Sequence, residues 1–113
     1  MQRQHLSQIL VNILQNAREA LNGKGRIIVA AASQGGESVQ ISISDSGPGI
    51  PPDKVEKIFE QYYSTKEKGT GLGLAIVKHN VELYAGKVRV ESELGKGARF
   101  VLTFPAKTVM NPA

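Results

Sequence analysis

The apolar residues near the start of the chain change from a helical to a strand-like period, and this change most constrains the fold. Across Arg3–Leu21 they recur at steps of three and four residues, which predicts an amphipathic helix that ends at Asn22-Gly23. Across Ser38–Ser44 every second residue is apolar, which predicts a strand with one buried face. A helix with one apolar stripe and a sheet with one apolar face bury each other, so we expect two layers.

The rest of the chain repeats this order of helix and hairpin. The predicted elements are the helix Arg3–Leu21, the strands Arg26–Ala32 and Ser38–Ser44, the loop Asp45–Asp53, a short helix Lys54–Phe59, the surface loop Gln61–Thr70, the helix Gly71–Tyr84 and two strands around Val88–Val90 and Phe100–Phe104. We therefore expect one α+β domain over residues 1–106, with helices on one face of a largely antiparallel sheet. The tail Lys107–Ala113 is expected to fray.

Composition argues against several classes of function. The chain has no cysteine, which excludes disulfides and cysteine metal sites and fits a reducing cytoplasm. No apolar run approaches the roughly 18 residues of a membrane span, so we expect no membrane contact. The net charge is +4 and aromatic residues make up 5% of the chain. Because the basic residues are scattered, we expect an anionic small ligand or an acidic partner and no nucleic acid.

Polar side chains form a stripe along the edge of the first helix. Gln8, Asn12 and Asn16 follow each other at steps of four residues, and Glu19 continues the stripe. Asparagine is a mediocre helix former, so two of them one turn apart are unusual. One interpretation is an ordinary polar flank. The other is a ligand or metal contact, since an asparagine carbonyl is a neutral oxygen ligand suited to Mg²⁺.

A carboxylate stands at the end of the alternating strand, in "DSGPGI" (Asp45–Ile50). At the edge of the core such a carboxylate needs hydrogen-bond donors. Adenine offers an exocyclic amino group where guanine offers a carbonyl, so Asp45 would select adenine. Gly47 and Gly49 would let a flat base lie close to the backbone. The alternative interpretation is a turn that begins with aspartate.

A glycine-rich loop opens the second long helix, in "GTGLGLAIV" (Gly69–Val77). Its G-x-G-x-G spacing, with no strand before it, is not the dinucleotide fingerprint, and the Lys-Ser/Thr of a P-loop is absent. Backbone N–H groups at a helix start attract phosphate, although glycines also make ordinary loops. An aspartate that would bind adenine, a loop that would bind phosphate and an asparagine pair suited to Mg²⁺ together predict an ATP site.

These segments, in this order, resemble the ATP-binding catalytic domain of sensor histidine kinases, in the superfamily shared with DNA gyrase, Hsp90 and MutL. "QILVNILQNAREAL" resembles the N box, "DSGPGI" the G1 box, "IFEQYYSTK" the F box and "GTGLGLAIV" the G2 box. "GKVRVESELGKGARFVLTFP" resembles the closing hairpin. The resemblance covers about residues 6–105 and implies the Bergerat ATP-binding fold, a two-layer α/β sandwich with a mixed, largely antiparallel sheet.

The resemblance also implies a role for each matching residue. It makes Asn16 a Mg²⁺ ligand, lets Asn12 help to hold the metal–phosphate cluster, and makes Phe59 the anchor of the following loop. The adenine site would consist of Asp45, Gly47, Gly49 and Ile50, and the phosphate-binding end of the ATP lid of Gly69, Thr70, Gly71, Leu72, Gly73 and Leu74. Lys66 is either a cation near the phosphates or a solvated lid lysine. Gln8 either orients the acceptor or belongs to the polar flank.

Asn12 indicates the type of reaction. ATPases of this superfamily carry a glutamate at this position to activate water, whereas asparagine does not accept a proton. The resemblance therefore implies transfer of the ATP γ-phosphoryl group to another acceptor, with catalysis by positioning and metal charge. The implied partners are a histidine-containing dimerisation hairpin, in cis or in trans, and a response regulator downstream. Without that hairpin we expect a monomer.

Two departures from the family pattern and two rival functions follow from the same comparison of motifs. Neither His5 nor His79 lies in a motif like that of the family's acceptor histidine, so both are interpreted as plain helix residues. The family's domain has a strand before the N-box helix, so this chain is expected to be a fragment or minimal domain with one exposed sheet edge. The first rival is an anti-sigma-type serine kinase or regulatory ATP module of the same fold. The second is an interaction domain with degenerate boxes.

Overall fold

The computed structural model describes residues 2–55, 57–59 and 73–106. The elements are α1 (Arg3–Leu21), β1 (Ile27–Gln34), β2 (Ser38–Asp45), α2 (Gly73–Leu83), β3 (Lys87–Glu93) and β4 (Gly97–Pro105). Their order of helix, hairpin, helix and hairpin is the one predicted from the apolar periods. The predicted loop Gln61–Thr70 and tail Lys107–Ala113 lie outside the described residues.

The four strands form one sheet in the order β1-β2-β4-β3. Within the part of the chain that the structure describes, all three strand pairs are antiparallel, as expected for a largely antiparallel sheet. Asp45, the last residue of β2, lies opposite Ala98 at the start of β4. The end of β2, the start of β4 and the β3–β4 turn therefore meet at one end of the sheet.

Both helices cover the same face of the sheet and bury one apolar core. The buried core residues are Ile9, Ile13, Ile43, Ile58, Val77, Val81, Phe100, Leu102 and Phe104. On β2 and β4 these residues alternate along the strand, so one face of each strand carries the core. No helix of the described residues combines the length and apolarity needed to cross a bilayer.

Both helices end in a residue with left-handed backbone geometry. Asn22 (φ 50°) ends α1, at the predicted position. Beyond α2 the left-handed residue is Ala85 (φ 60°) rather than the glycine after it, and the Gly86 amide closes the turn onto the Val81 carbonyl oxygen. Gly86 has a separate reason to lack a side chain, since a Cβ there would lie 2.7 Å from the Phe104 ring.

The prediction of a short helix at Lys54–Phe59 is wrong. Residues 52–55 and 57–59 form turns, with the amides of Lys54 and Lys57 each bonded to a carbonyl three residues back. So short a segment gains too few hydrogen bonds to offset helix nucleation. Packing holds it instead, because Ile58 is buried and the Phe59 ring meets the Phe100 ring edge-on at 6.2 Å. The predicted role of Phe59 as the anchor of the following loop stays a prediction, because that loop lies outside the described residues.

Strand β1 lies outside the core. All eight of its residues are exposed, and Ile28 and Val29 are 59% and 53% exposed. The helices lie mainly over the other strands, and no described residue pairs with the second edge of β1. The exposed sheet edge expected from the sequence is therefore present on this strand.

Candidate functional site

The polar stripe of α1 faces the start of α2. Asn12 donates from Nδ2 to the Gln8 carbonyl oxygen at 2.9 Å, a bond within its own helix. This bond fixes the amide group, and a Cβ placed on Gly73 would lie 3.3 Å from Asn12 Oδ1. The Asn12 carbonyl therefore lies against the first residue of α2, where the helix N-terminus favours negative charge.

Gln8 binds the second helix through its side chain. Its Oε1 accepts a hydrogen bond from Asn80 Nδ2 at 2.9 Å, and Asn80 is buried. The pair joins α1 to α2 one turn before Asn12. The predicted catalytic role of Gln8 remains a prediction, and the structure gives the residue a bridging contact between the two helices. Asn80 was not singled out in the sequence, although it is a polar residue between the apolar Val77 and Val81.

Asp45 lies at the edge of the core, as predicted. It is 8% exposed, and its Oδ1 accepts a hydrogen bond from the Gly47 amide at 2.9 Å. This bond is the aspartate turn that the sequence also allowed. It engages one carboxylate oxygen with a backbone donor, so the turn and an adenine-binding role are compatible.

The loop after Asp45 rests on the last turn of α1. A Cβ on Gly47 would lie 3.4 Å from the Ala20 carbonyl oxygen, so a glycine permits this approach. Asn16 and Ala20 are four residues apart and share a face of the helix. One face of α1 therefore runs from the start of α2, at Asn12, to the loop of Asp45.

The β3–β4 hairpin holds the other side of the same loop. The Gly95 amide donates to the Pro48 carbonyl oxygen at 2.8 Å, and the Ile50 amide donates to Ser92 Oγ at 2.7 Å. Gly49 has φ +80°, and a Cβ there would lie 2.5 Å from the Glu93 carbonyl oxygen. Ser92 was not predicted from the sequence. It could have been recognised as the serine that follows Val88 and Val90 at alternate positions, on the core-facing side of β3.

Part of the predicted phosphate site lies outside the described residues. These positions are Lys66, Gly69, Thr70, Gly71 and Leu72. Of the same group, Gly73 begins α2 and Leu74 packs against the core. The structure therefore brings the N-box helix together with the start of α2 and with the Asp45 loop, and the lid remains a prediction.

The two histidines occupy ordinary helical positions. His5 Nδ1 and the Tyr84 hydroxyl are hydrogen-bonded, and the rings are tilted against each other at 5.4 Å. This contact joins the start of α1 to the segment after α2. His79 is exposed on α2.

The described residues hold no cluster of acidic, histidine or cysteine side chains that would bind a metal by itself. The candidate oxygen donors on α1 are the neutral amides of Asn12 and Asn16. Such a set suits an ion that keeps several waters and substrate phosphate oxygens among its ligands, as Mg²⁺ does.

Known proteins match nearly the whole of this chain. Residues 1–108 match the family described as histidine kinase-, DNA gyrase B- and HSP90-like ATPase. Over 100 residues the chain is 48% identical to the sensor histidine kinase ZraS of Escherichia coli O157:H7, covering 88% of this chain and 22% of ZraS. The chain therefore spans about a fifth of the length of that relative.

Two solved structures share the fold. The nucleotide-free catalytic domain of the histidine kinase ThkA matches with a TM-score of 0.82 and 36% identity, over 92% of this chain and 68% of that one. Full-length ShkA in complex with AMPPNP matches with a TM-score of 0.82 and 40% identity, over 89% of this chain and 21% of ShkA. The likeness to the ThkA domain confirms the expected two-layer fold for nearly the whole chain.

Proposed function

Because the chain belongs to the family of histidine kinase-, DNA gyrase B- and HSP90-like ATPases, we propose that it is the Mg-ATP-binding catalytic domain of a sensor histidine kinase. The observation that carries this proposal is the shared face of α1, which joins the start of α2 to the Asp45 loop. The described parts of the three sequence motifs that would each hold one part of ATP are thus neighbours. The AMPPNP bound to the related ShkA, an ATP analogue, supports the same ligand class.

The adenine base would lie against the loop from Asp45 to Ile50. The second oxygen of the Asp45 carboxylate would accept from the exocyclic amino group, while Oδ1 remains on the Gly47 amide. Guanine presents a carbonyl oxygen at that position, and two acceptors facing each other in a partly buried site are unfavourable. The site would therefore prefer adenine.

The triphosphate would extend from the Asp45 loop along α1 toward the start of α2. Backbone amides and the dipole at that helix start favour phosphate, and Gly69–Leu74 with Lys66 would complete the cradle. Asn16 would contribute an oxygen ligand to Mg²⁺, with Asn12 beside it. When bound, Mg²⁺ supplies positive charge to the phosphate oxygens of the reacting group.

Asn12 would orient the reacting phosphates without acting as a base. Its Nδ2 is engaged by the Gln8 carbonyl oxygen, and an amide oxygen does not take a proton from water at neutral pH. The terminal phosphoryl group would instead pass to a histidine ring nitrogen of another domain, which yields ADP and phosphohistidine. A response-regulator aspartate would receive the phosphoryl group next. A cytoplasmic location is part of the same proposal.

Phosphoryl transfer to a separate hairpin tests this function. The chain is mixed with a dimerisation hairpin from a sensor histidine kinase and with γ-labelled ATP, and the matched control carries glutamine in place of the acceptor histidine. We expect acid-labile label on the hairpin and none on the control. Acid-stable label on a serine substrate would favour the anti-sigma-type alternative, and the absence of any transfer would refute the kinase proposal.

A further inference from the structure

We propose that Ser92 is a positioning residue for the adenine loop, which is defined here as Pro48–Ile50. The inference rests on the proposed function and adds to it a residue that none of the four motifs contains. Ser92 lies on β3 opposite Ala98 of β4, and Ala98 pairs on its other side with Asp45. Its side chain joins the adenine loop to the closing hairpin.

The Ser92 hydroxyl both accepts and donates a hydrogen bond. Its Oγ accepts the Ile50 amide proton at 2.7 Å and donates to the Gly97 carbonyl oxygen at 3.1 Å. A hydroxyl has one proton to donate, and its lone pairs accept. Donation to Gly97 therefore turns a lone pair toward Ile50, so the serine fixes the loop amide in one position.

Two further contacts between the hairpin and the adenine loop use backbone atoms. The Gly95 amide binds the Pro48 carbonyl oxygen at 2.8 Å, and Gly49 packs against the Glu93 carbonyl oxygen. Three successive loop residues are thus held by the hairpin. Of these three attachments, only the one at Ile50 depends on a side chain, so substitution at Ser92 removes it without altering the backbone.

Packing alone does not account for a serine at this position. Val88 and Val90 precede it on the same face of β3, and the half-buried site favours an apolar, β-branched residue. A valine would continue that pattern. The serine is explained by its two hydrogen bonds, both of which lie beside the loop that would carry the base.

The contact has a specific consequence for the ligand. Asp45 is fixed by strand β2 and by the Gly47 amide, so one side of the base would be set without Ser92. Gly49 and Ile50 would form another side, and the position of Ile50 depends on Ser92. Loss of the hydroxyl should therefore weaken contacts with the base and leave the triphosphate end of the site unchanged.

Calorimetry with Mg-ADP and with Mg-tripolyphosphate distinguishes binding at the base end of the site from binding at the triphosphate end. The variants are Ser92→Ala and Ser92→Thr. The control is Ser38→Ala, since Ser38 is a half-buried serine at the end of β2 that is far from Asp45. We expect Ser92→Ala to weaken Mg-ADP binding about tenfold, the effect of one lost hydrogen bond. Ser92→Thr keeps the hydroxyl and should restore the affinity, while tripolyphosphate binding stays at the wild-type value in all variants.

Amide exchange at Ile50 without nucleotide provides a second readout. It should be faster in Ser92→Ala than in the wild type and unchanged in Ser38→Ala. If Ser92→Ala does not fold, Ser92→Val is used, because it fills the site, suits a strand and lacks the hydroxyl.

The possible outcomes separate this inference from the proposed function. Equal Mg-ADP affinity in Ser92→Ala and the wild type overturns the positioning role alone. An equal loss for ADP and tripolyphosphate, or a failure of threonine to restore binding, also overturns it. A folded wild-type protein that binds no ADP refutes the proposed function and this inference together.

Discussion

At the scale of single residues, four polar side chains lie on or beside the apolar faces of their elements. Asn12 and Asn16 border the core stripe of α1, Asp45 ends a buried strand, and Ser92 continues the apolar side of β3. The sequence identified the first three because each lies in a recognisable motif. It did not identify Ser92, because its partner Ile50 is 42 residues away and becomes a neighbour only when β4 pairs with both β2 and β3.

Asn16→Ala should remove the Mg²⁺ dependence of ATP binding. Alanine lacks the amide oxygen that would reach the ion, and one neutral ligand fewer weakens the metal–phosphate cluster. ATP titrations with Mg²⁺ and with EDTA, on the wild type and the variant, measure the effect. A ratio of the two affinities that is the same in both proteins would mean that another group holds the metal.

Gly97→Ala should destabilise the fold by about 2–4 kcal/mol, from overlap and a strained backbone. Gly97 has φ +93°, and a Cβ there would overlap the Asp45 carbonyl oxygen. Urea denaturation gives the free energy of unfolding. The control is Gly95→Ala at the same turn, whose positive φ gives similar strain and whose Cβ would meet nothing. Equal losses in the two variants would contradict the overlap.

At the scale of elements, periodicity predicted the long segments and failed on the short one. The stripe of α1 and the alternation of β2 each extend over several turns or pleats, so the pattern is unambiguous. The segment around Lys54 is too short to show a repeating apolar pattern. Its turns are held by the burial of Ile58 and the contact of Phe59 with Phe100. Such contacts depend on β4 and are not visible locally.

The end of α2 carries a strained residue that the sequence did not indicate. Ala85 adopts the left-handed conformation, which a glycine adopts without the steric cost of a Cβ. Ala85→Gly should therefore raise the free energy of unfolding by about 0.5–1 kcal/mol. The control Ala20→Gly, within α1, should lower it by about 1 kcal/mol. Urea denaturation of both variants measures these free energies of unfolding. A loss of stability in Ala85→Gly would contradict the role of the residue as a helix cap.

At the scale of the whole molecule, β1 is attached to the sheet and excluded from the core. The sequence predicted its existence from "RIIVAAA" and its exposed edge from the resemblance, but not that both faces are uncovered. Whether a strand face is buried depends on where helices lie. The position of α1 over β2 follows from side-chain packing across the core, which no local pattern encodes.

A matched pair of substitutions tests this placement of β1. Val29 and Ile43 are direct neighbours across β1 and β2, with exposures of 53% and 1%. Val29→Ala should lower the free energy of unfolding by at most about 1 kcal/mol, through strand propensity alone. Ile43→Ala should lower it by about 2–5 kcal/mol, through a core cavity. Equal losses by urea denaturation would mean that another part of the molecule covers β1.

The binding of Mg-ATP to the purified chain and to Asp45→Asn tests the central claim most directly. Asparagine keeps an oxygen for the Gly47 amide, so the loop should persist, but the charged acceptor for adenine is lost. Titration calorimetry should show saturable binding by the wild type and binding at least about a hundredfold weaker by the variant, with the same circular dichroism spectrum. A folded wild-type protein that takes up no ATP at millimolar concentration, or an Asp45→Asn protein that binds equally well, would contradict the account.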